Sequence, residues 1–205
     1  MKHIAVMIVF GIGLAVLPAM SQTQRGSWEL SAAANFGTTS NTYESTSGGH
    51  TSTGKSEGRG YLGLDFRAGV YVVEGLSIEP EIYFLAVEKD LPTFNLGGNV
   101  AYTFTIPDSP VRPFAIAGYG IGNGIPQMQR LMGRTSGDLD IPVLRVGGGL
   151  KVFLAQQVAL KVEYRYERYS YESTTTYFNT TSTYSRTWNF HNVLFGFAVF
   201  LPAAG

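Results

Sequence analysis

The chain has 205 residues, with 15 Lys and Arg against 15 Asp and Glu, a formal net charge of zero. That balance excludes a basic nucleic-acid footprint and an acidic disordered tail. The absence of cysteine excludes a disulfide framework, a thiolate nucleophile and a Cys-ligated metal.

Lys2 and His3 open the chain, an apolar run follows from Ile4 to Leu17, and then come Pro18, Ala19, Met20 and Ser21. Ala19 and Ser21 satisfy the small-x-small requirement of a secretory cleavage site, and the run is short for a spanning helix. The reading is a cleaved signal over 1–21 and one mature domain over 22–205.

Beyond it the period is two, the mark of strands. Strand one is predicted over Gly26 to Gly37, with Trp28, Leu30, Ala32, Ala34 and Phe36 opposed to Ser27, Glu29, Ser31 and Asn35. Thr38 to Arg59, crowded with Ser, Thr and Gly, reads as a long solvated loop. Strand two, Tyr61 to Val72, sets Leu62, Leu64, Phe66, Ala68 and Val70 against Gly63, Asp65, Arg67 and Gly69, and Glu74-Gly75 is a tight turn. Strand three, Leu76 to Val87, opposes Ile78, Ile82 and Phe84 to Glu79, Glu81 and Tyr83. Pro80 on its apolar side predicts a local irregularity in the ladder.

A short loop holds Glu88, Lys89, Asp90 and Pro92, and strand four follows over Phe94 to Thr105. Pro107 to Pro110 forms the next turn. Strand five, Arg112 to Gly122, has faces that the sequence leaves open, because Ala115 and Ala117 alternate with Phe114, Ile116 and Gly118. A second long loop covers Asn123 to Asp140. Strand six, Val143 to Phe153, opposes Leu144, Val146 and Leu150 to Arg145, Gly147, Gly149 and Lys151, and strand seven, Val158 to Tyr171, opposes Leu160, Val162 and Tyr164 to Lys161, Glu163, Arg165 and Glu167. A Thr- and Tyr-rich stretch to Arg186 is the last loop, and strand eight runs from Thr187 to Leu201. Strands seven and eight are long enough to rise as a protruding hairpin.

Eight strands of roughly 11 residues match the ~9–11 that a tilted strand needs to cross a bilayer. The fold class is all-β, an eight-stranded antiparallel up-and-down transmembrane β-barrel with short turns on one side and longer loops on the other. Periodicity alone does not say which face is inside. Three features turn the apolar stripe outward: near-balanced charges on the polar faces, glycines sharing those faces, and aromatic residues gathered at strand ends as interfacial girdles. The girdle residues are Tyr166, Tyr169, Tyr171 and Trp188 at one rim and Phe104, Phe114, Phe153 and Phe200 at the other. Glu29, Asp65, Arg67, Glu79, Glu81, Arg145, Lys151, Lys161, Glu163 and Arg165 then form an interior polar network, since charges confined to a narrow lumen must pair.

The stretches Val146 to Tyr166, Arg112 to Gly120 and His191 to Phe197 resemble the small outer membrane β-barrel family that includes the OmpA transmembrane domain, OmpX and the opacity proteins. The resemblance implies a meander inserted into the bacterial outer membrane by the barrel assembly machinery, with Val199-x-Leu201 as the terminal assembly pattern.

Catalytic and ligand motifs are weak. Gly118 to Gly124 lacks the lysine and following helix of a phosphate loop. Asp138 and Asp140 are too few for a calcium site, and Glu79 and Glu81 read as structural rather than as an acid pair. His191 near the outer rim is the one residue that invites comparison with lipid A-modifying barrels, yet no adjacent serine supplies a nucleophile. The expected function is a non-catalytic, monomeric outer membrane barrel with an adhesion or envelope-integrity role. It would carry no cofactor and no metal. Its partners would be outer membrane lipid and lipopolysaccharide, the assembly machinery and extracellular ligands at the loops. A narrow ion channel and a lipid A-modifying enzyme are the alternatives.

Overall fold

The computed structural model describes residues 22–86, 93–122, 141–177 and 180–203. The expected signal segment, the loop from Glu88 to Pro92 and the loop carrying Asp138 and Asp140 lie outside these residues.

Eight antiparallel strands pair each with the next, and β1 pairs with β8 to close the barrel. They are β1 (Trp28–Ser47), β2 (His50–Val73), β3 (Leu76–Ala86), β4 (Thr93–Thr103), β5 (Val111–Gly122), β6 (Ile141–Ala155), β7 (Val158–Tyr177) and β8 (Thr180–Leu201). Closure pairs every strand on both sides within the barrel, the condition for a sheet to sit in lipid.

The side chains are inverted relative to a soluble protein. Leu30, Leu64, Phe66, Ile82, Val146, Phe195 and Phe197 stand exposed, while Glu29, Arg145, Lys151, Glu163 and Arg165 are at most 1% exposed. An apolar belt of this extent is stable only against an apolar medium, so the outer face meets lipid. The register settles the open strand: Phe114, Ile116, Gly118 and Gly120 of β5 pair with inward residues of β6, and Ala115, Ala117 and Tyr119 face out.

The Pro80 irregularity is a gap. The β2–β3 ladder runs to Arg67 with Glu81 and resumes at Val70 with Ile78 in the same register, and Pro80, which has no N–H to give, sits in the interval.

The stretch from Thr38 to Arg59 is not a loop, and this corrects the sequence reading. β1 continues to Ser47, the chain reverses through Gly48 and Gly49, and β2 starts at His50. Both turn glycines have positive φ, 56° and 82°, as the mirror-image two-residue hairpin turn requires. The Gly48-Gly49 pair between Thr- and Ser-rich runs was the signal for it. Residues 172–177 and 180–186 are likewise strand, so β7 and β8 extend to 20 and 22 residues.

The four long strands lie side by side in the order β2, β1, β8, β7 and continue past the apolar belt as one sheet. A one-residue bulge between Thr38 and Ser40 shifts the β1–β2 register at its base. Above it Thr51, Thr46, Thr183 and Thr174 form a row across all four strands. Hydroxyl contacts of 2.9 Å join Thr46 to Thr51 and of 3.4 Å join Thr174 to Thr183. Threonine fits a pleated surface and pairs across strands, so a polar, loop-like composition still builds sheet.

Candidate functional site

The lumen is filled from end to end in three layers. At the end where the turns are short, Tyr71, Ala159, Ala198 and Phe200 cluster, with Phe153 packed against them. At the opposite end Tyr83, Ile141, Val143, Tyr169, Trp188 and Phe190 form a second apolar layer, joined by Tyr61 and Tyr171. Tyr169, Trp188, Phe114 and Phe200 are therefore inside the barrel, each at most 4% exposed, and do not belong to interfacial girdles. The sequence placed them at the right height on the wrong side, because apolar layers lie inside this lumen above and below its ionic middle. Strand β8 shows why: its inward residues include Trp188, Phe190, Leu194 and Phe200, so both of its faces are apolar and alternation carries no sign.

Between the caps lie the charges. Arg67 on β2 places Nε 2.7 Å from Asp65 and 3.1 Å from Glu81, and Nη1 2.8 Å from Glu163 on the far wall. Arg165 on β7 answers it, with Nε donating to Glu163 at 2.7 Å and Nη1 3.1 Å from both Asp65 and Glu81. Arg145 on β6 reaches Glu167 at 3.2 Å and Glu81 at 3.4 Å. Glu79 takes a hydrogen bond of 2.7 Å from Ser77 and stands 3.7 Å from Arg67. A second group lies nearer the short-turn end. Lys151 and Lys161 are register partners on β6 and β7, and both reach Glu29 on β1, at 2.5 Å and 3.5 Å. The Phe114 ring lies 5.2 Å and 4.9 Å from the two ammonium groups.

All ten of the network residues named from the sequence thus face one lumen, with Glu167 joining them. Polar groups extend the mesh: Asn99 donates to Glu81 at 2.9 Å, Asn95 to the Tyr169 hydroxyl at 2.9 Å and Asn35 to the Tyr83 hydroxyl at 2.8 Å. Asn99 and Asn95 occupy space left by glycines on β5, since a Cβ on Gly118 would collide with Asn99 Oδ1 and one on Gly122 with Asn95 Oδ1. Nothing in a two-residue period announces which asparagine crosses to which tyrosine.

His191 lies on the other side of the wall. It is exposed on the lipid-facing surface, while Glu167 is fully buried in the lumen. Its Nδ1 is 2.7 Å from the Tyr164 hydroxyl, and its ring packs 5.4 Å from that of Tyr166.

The sequence pattern of the outer membrane protein β-barrel domain matches residues 7–198. The chain belongs to this family. As an outer membrane β-barrel of a Gram-negative envelope, it crosses the bacterial outer membrane with its apolar face in lipid. Among curated proteins no sequence relative matches. Solved structures match in fold. Neisserial surface protein A aligns with a TM-score of 0.50 at 16% identity, over 85% of this chain and 96% of that one. OprG from Pseudomonas aeruginosa aligns with a TM-score of 0.58 at 12% identity, over 90% of this chain and all of the other. At such identities the likeness shows the eight-stranded architecture and nothing about a ligand.

Proposed function

We propose that this outer membrane barrel is a non-catalytic surface-interaction protein, in which a sealed barrel anchors a protruding sheet that makes extracellular contacts in adhesion. The observation that carries this reading is the disparity in strand length. β1, β2, β7 and β8 run 20 to 24 residues, whereas β3, β4 and β5 run 11 or 12. Since about 9–11 residues cross the hydrocarbon, the surplus lies outside the membrane, at the end opposite the short turns. Short turns face the periplasm in this class, which puts the sheet on the cell surface.

The sheet's composition suits contact. Its faces carry Ser, Thr and Tyr, which give hydrogen bonds and rigid surface at small entropic cost. Among the described residues, β2 between His50 and Tyr61 and β7 beyond Tyr169 have a strand partner on one side only. Such edges accept a further strand. The two apolar caps and the ionic middle support an anchor rather than a channel, and the barrel wall between exposed His191 and buried Glu167 supports a non-catalytic reading.

The test trims both hairpins, replacing residues 41–56 and 172–185 with two-residue turns, in cells that display the barrel. Retained heat-modifiability on a gel shows that the trimmed barrel still folds. Loss of cell attachment with the barrel intact supports the proposal. Attachment unchanged by trimming overturns it, and altered detergent sensitivity in its place selects the envelope-integrity role.

A further inference from the structure

We infer that the outer wall of β7 and β8 carries a binding site for a lipid-borne phosphate of the outer leaflet, the phosphorylated glucosamine headgroup of lipopolysaccharide. The site lies on the membrane-facing surface below the protruding sheet and is independent of the adhesive reading.

Its position follows from one continuous face. Going up β8, the outward residues are Leu201, Val199, Phe197, Phe195 and Val193, then His191 and Asn189. On β7 they are Leu160, Val162 and Tyr164, then Tyr166 and Arg168. Both strands change from apolar to polar at the same level, because Tyr166 pairs with His191 and Arg168 with Asn189. Thr38 on β1 pairs with His191 from the other side. A switch from apolar to polar with tyrosines at the boundary marks the height of the headgroups.

The hydrogen bonds within the patch decide its chemistry. The Tyr166 hydroxyl donates to Asn189 Oδ1 at 2.6 Å, which leaves the Asn189 NH2 available as a donor. The Tyr164 hydroxyl lies 2.7 Å from His191 Nδ1. A phenol donating to Nδ1 leaves the imidazole proton on Nε2, pointing away from the bond. Asn189 Nδ2, the Thr38 hydroxyl and the guanidinium of Arg168 remain as donors, and His191 Nε2 joins them when the phenol is the donor to Nδ1. Arg168 is exposed, and among the described residues no carboxylate pairs with it. Arg168 and His191 are diagonal neighbours across the strand pair, roughly 7–8 Å apart between Cα atoms, a separation that lets one phosphate contact both side chains. A cluster of donors with one positive charge is complementary to an anion. Directly beneath it Val193 and Phe195 offer an apolar surface, each more than a third exposed, so the fitting ligand has a phosphate above acyl chains.

The test uses the full mature barrel in a neutral detergent and native mass spectrometry to count retained lipid. The probes are bisphosphorylated lipid A, the same lipid A stripped of phosphate, and inorganic phosphate alone. Wild-type barrel is expected to hold phosphorylated lipid A roughly tenfold or more tightly than the stripped form, the effect of charge-assisted hydrogen bonds. The R168Q/H191Q variant should fold, as judged by heat-modifiability, and lose that preference. R168K should keep part of it. Equal retention of the two lipids by wild type, or a preference that survives in R168Q/H191Q, overturns the site. Displacement of lipid A by inorganic phosphate at equal concentration also overturns it, since the site would then serve a soluble anion.

Discussion

Glu29 on β1 accepts a hydrogen bond of 2.5 Å from Lys151 on β6, across the lumen between strands that are not neighbours in the sheet. The same oxygen takes the Tyr71 hydroxyl at 2.7 Å, and the other oxygen faces Lys161 at 3.5 Å. Lys151 and Lys161 are cross-strand partners, and this carboxylate lies between the two buried like charges, Lys161 also standing 3.9 Å from Glu79 and 4.0 Å from Glu163. Glu29→Gln is expected to destabilise the barrel by about 3–5 kcal/mol, the usual result of leaving buried charge without its partner. Adding Lys151→Met and Lys161→Met should return much of that stability. Urea titration read by gel mobility checks both steps, and a Glu29→Gln barrel as stable as wild type would contradict the assignment.

Arg67 should be a sensitive cation of the central group. It stands within 3.1 Å of Asp65, Glu81 and Glu163 and 3.7 Å from Glu79. Arg67→Met removes the charge that allows these carboxylates to share one enclosure, and a loss of about 3–5 kcal/mol is expected. Arg67→Lys keeps the charge but not the planar fork, so it should fall between the two. The same urea titration orders the three proteins.

The caps predict silence in a planar bilayer. Three barriers lie in series: the Phe200 layer, the ionic middle and the Trp188–Phe190 layer. Phe200→Ala should cost about 3–5 kcal/mol of stability and still pass no steady current, because the other two barriers remain. Steady conductance in wild type or in Phe200→Ala would refute a sealed lumen.

Two glycines should respond in opposite ways to alanine. A Cβ on Gly196 would stand 2.0 Å from the Ala32 carbonyl oxygen and 2.6 Å from Ala33 Cα, at the β1–β8 seam that closes the barrel. Backbone cannot move aside cheaply there, and Gly196→Ala is expected to lose at least ~1–3 kcal/mol. Gly98 faces lipid with nothing within 4 Å of the added carbon, so Gly98→Ala should be neutral or gain up to about 1 kcal/mol through the unfolded chain. Unfolding midpoints of the two variants check the contrast.

The strands that sequence reasoning read most easily were those with opposite chemistry on their two faces. Leu62, Leu64 and Phe66 alternate with Gly63, Asp65 and Arg67, and Leu160 and Val162 alternate with Lys161 and Glu163, so side and period were both legible. Reading failed where a strand had no contrast. The outer halves of β1 and β2 are polar on both faces and looked like a loop. β5 and β8 are apolar or small on both faces, which hid the lumen roles of Phe114, Ile116, Phe190 and Phe200. The Gly48-Gly49 pair is the one local signal of the β1–β2 hairpin.

The sequence alone shows the eight membrane-crossing strand segments and that acids and bases share one face of them; a two-residue period and the cost of unpaired charge are enough for that. Only the closed barrel decided that Glu29 meets Lys151, that Arg67 meets Glu163 and that Asn95 meets Tyr169. Those partners stand on opposite walls, and which residue lies at which height on each wall depends on strand tilt, register and the radius set by eight strands. None of these quantities is local to any stretch of chain.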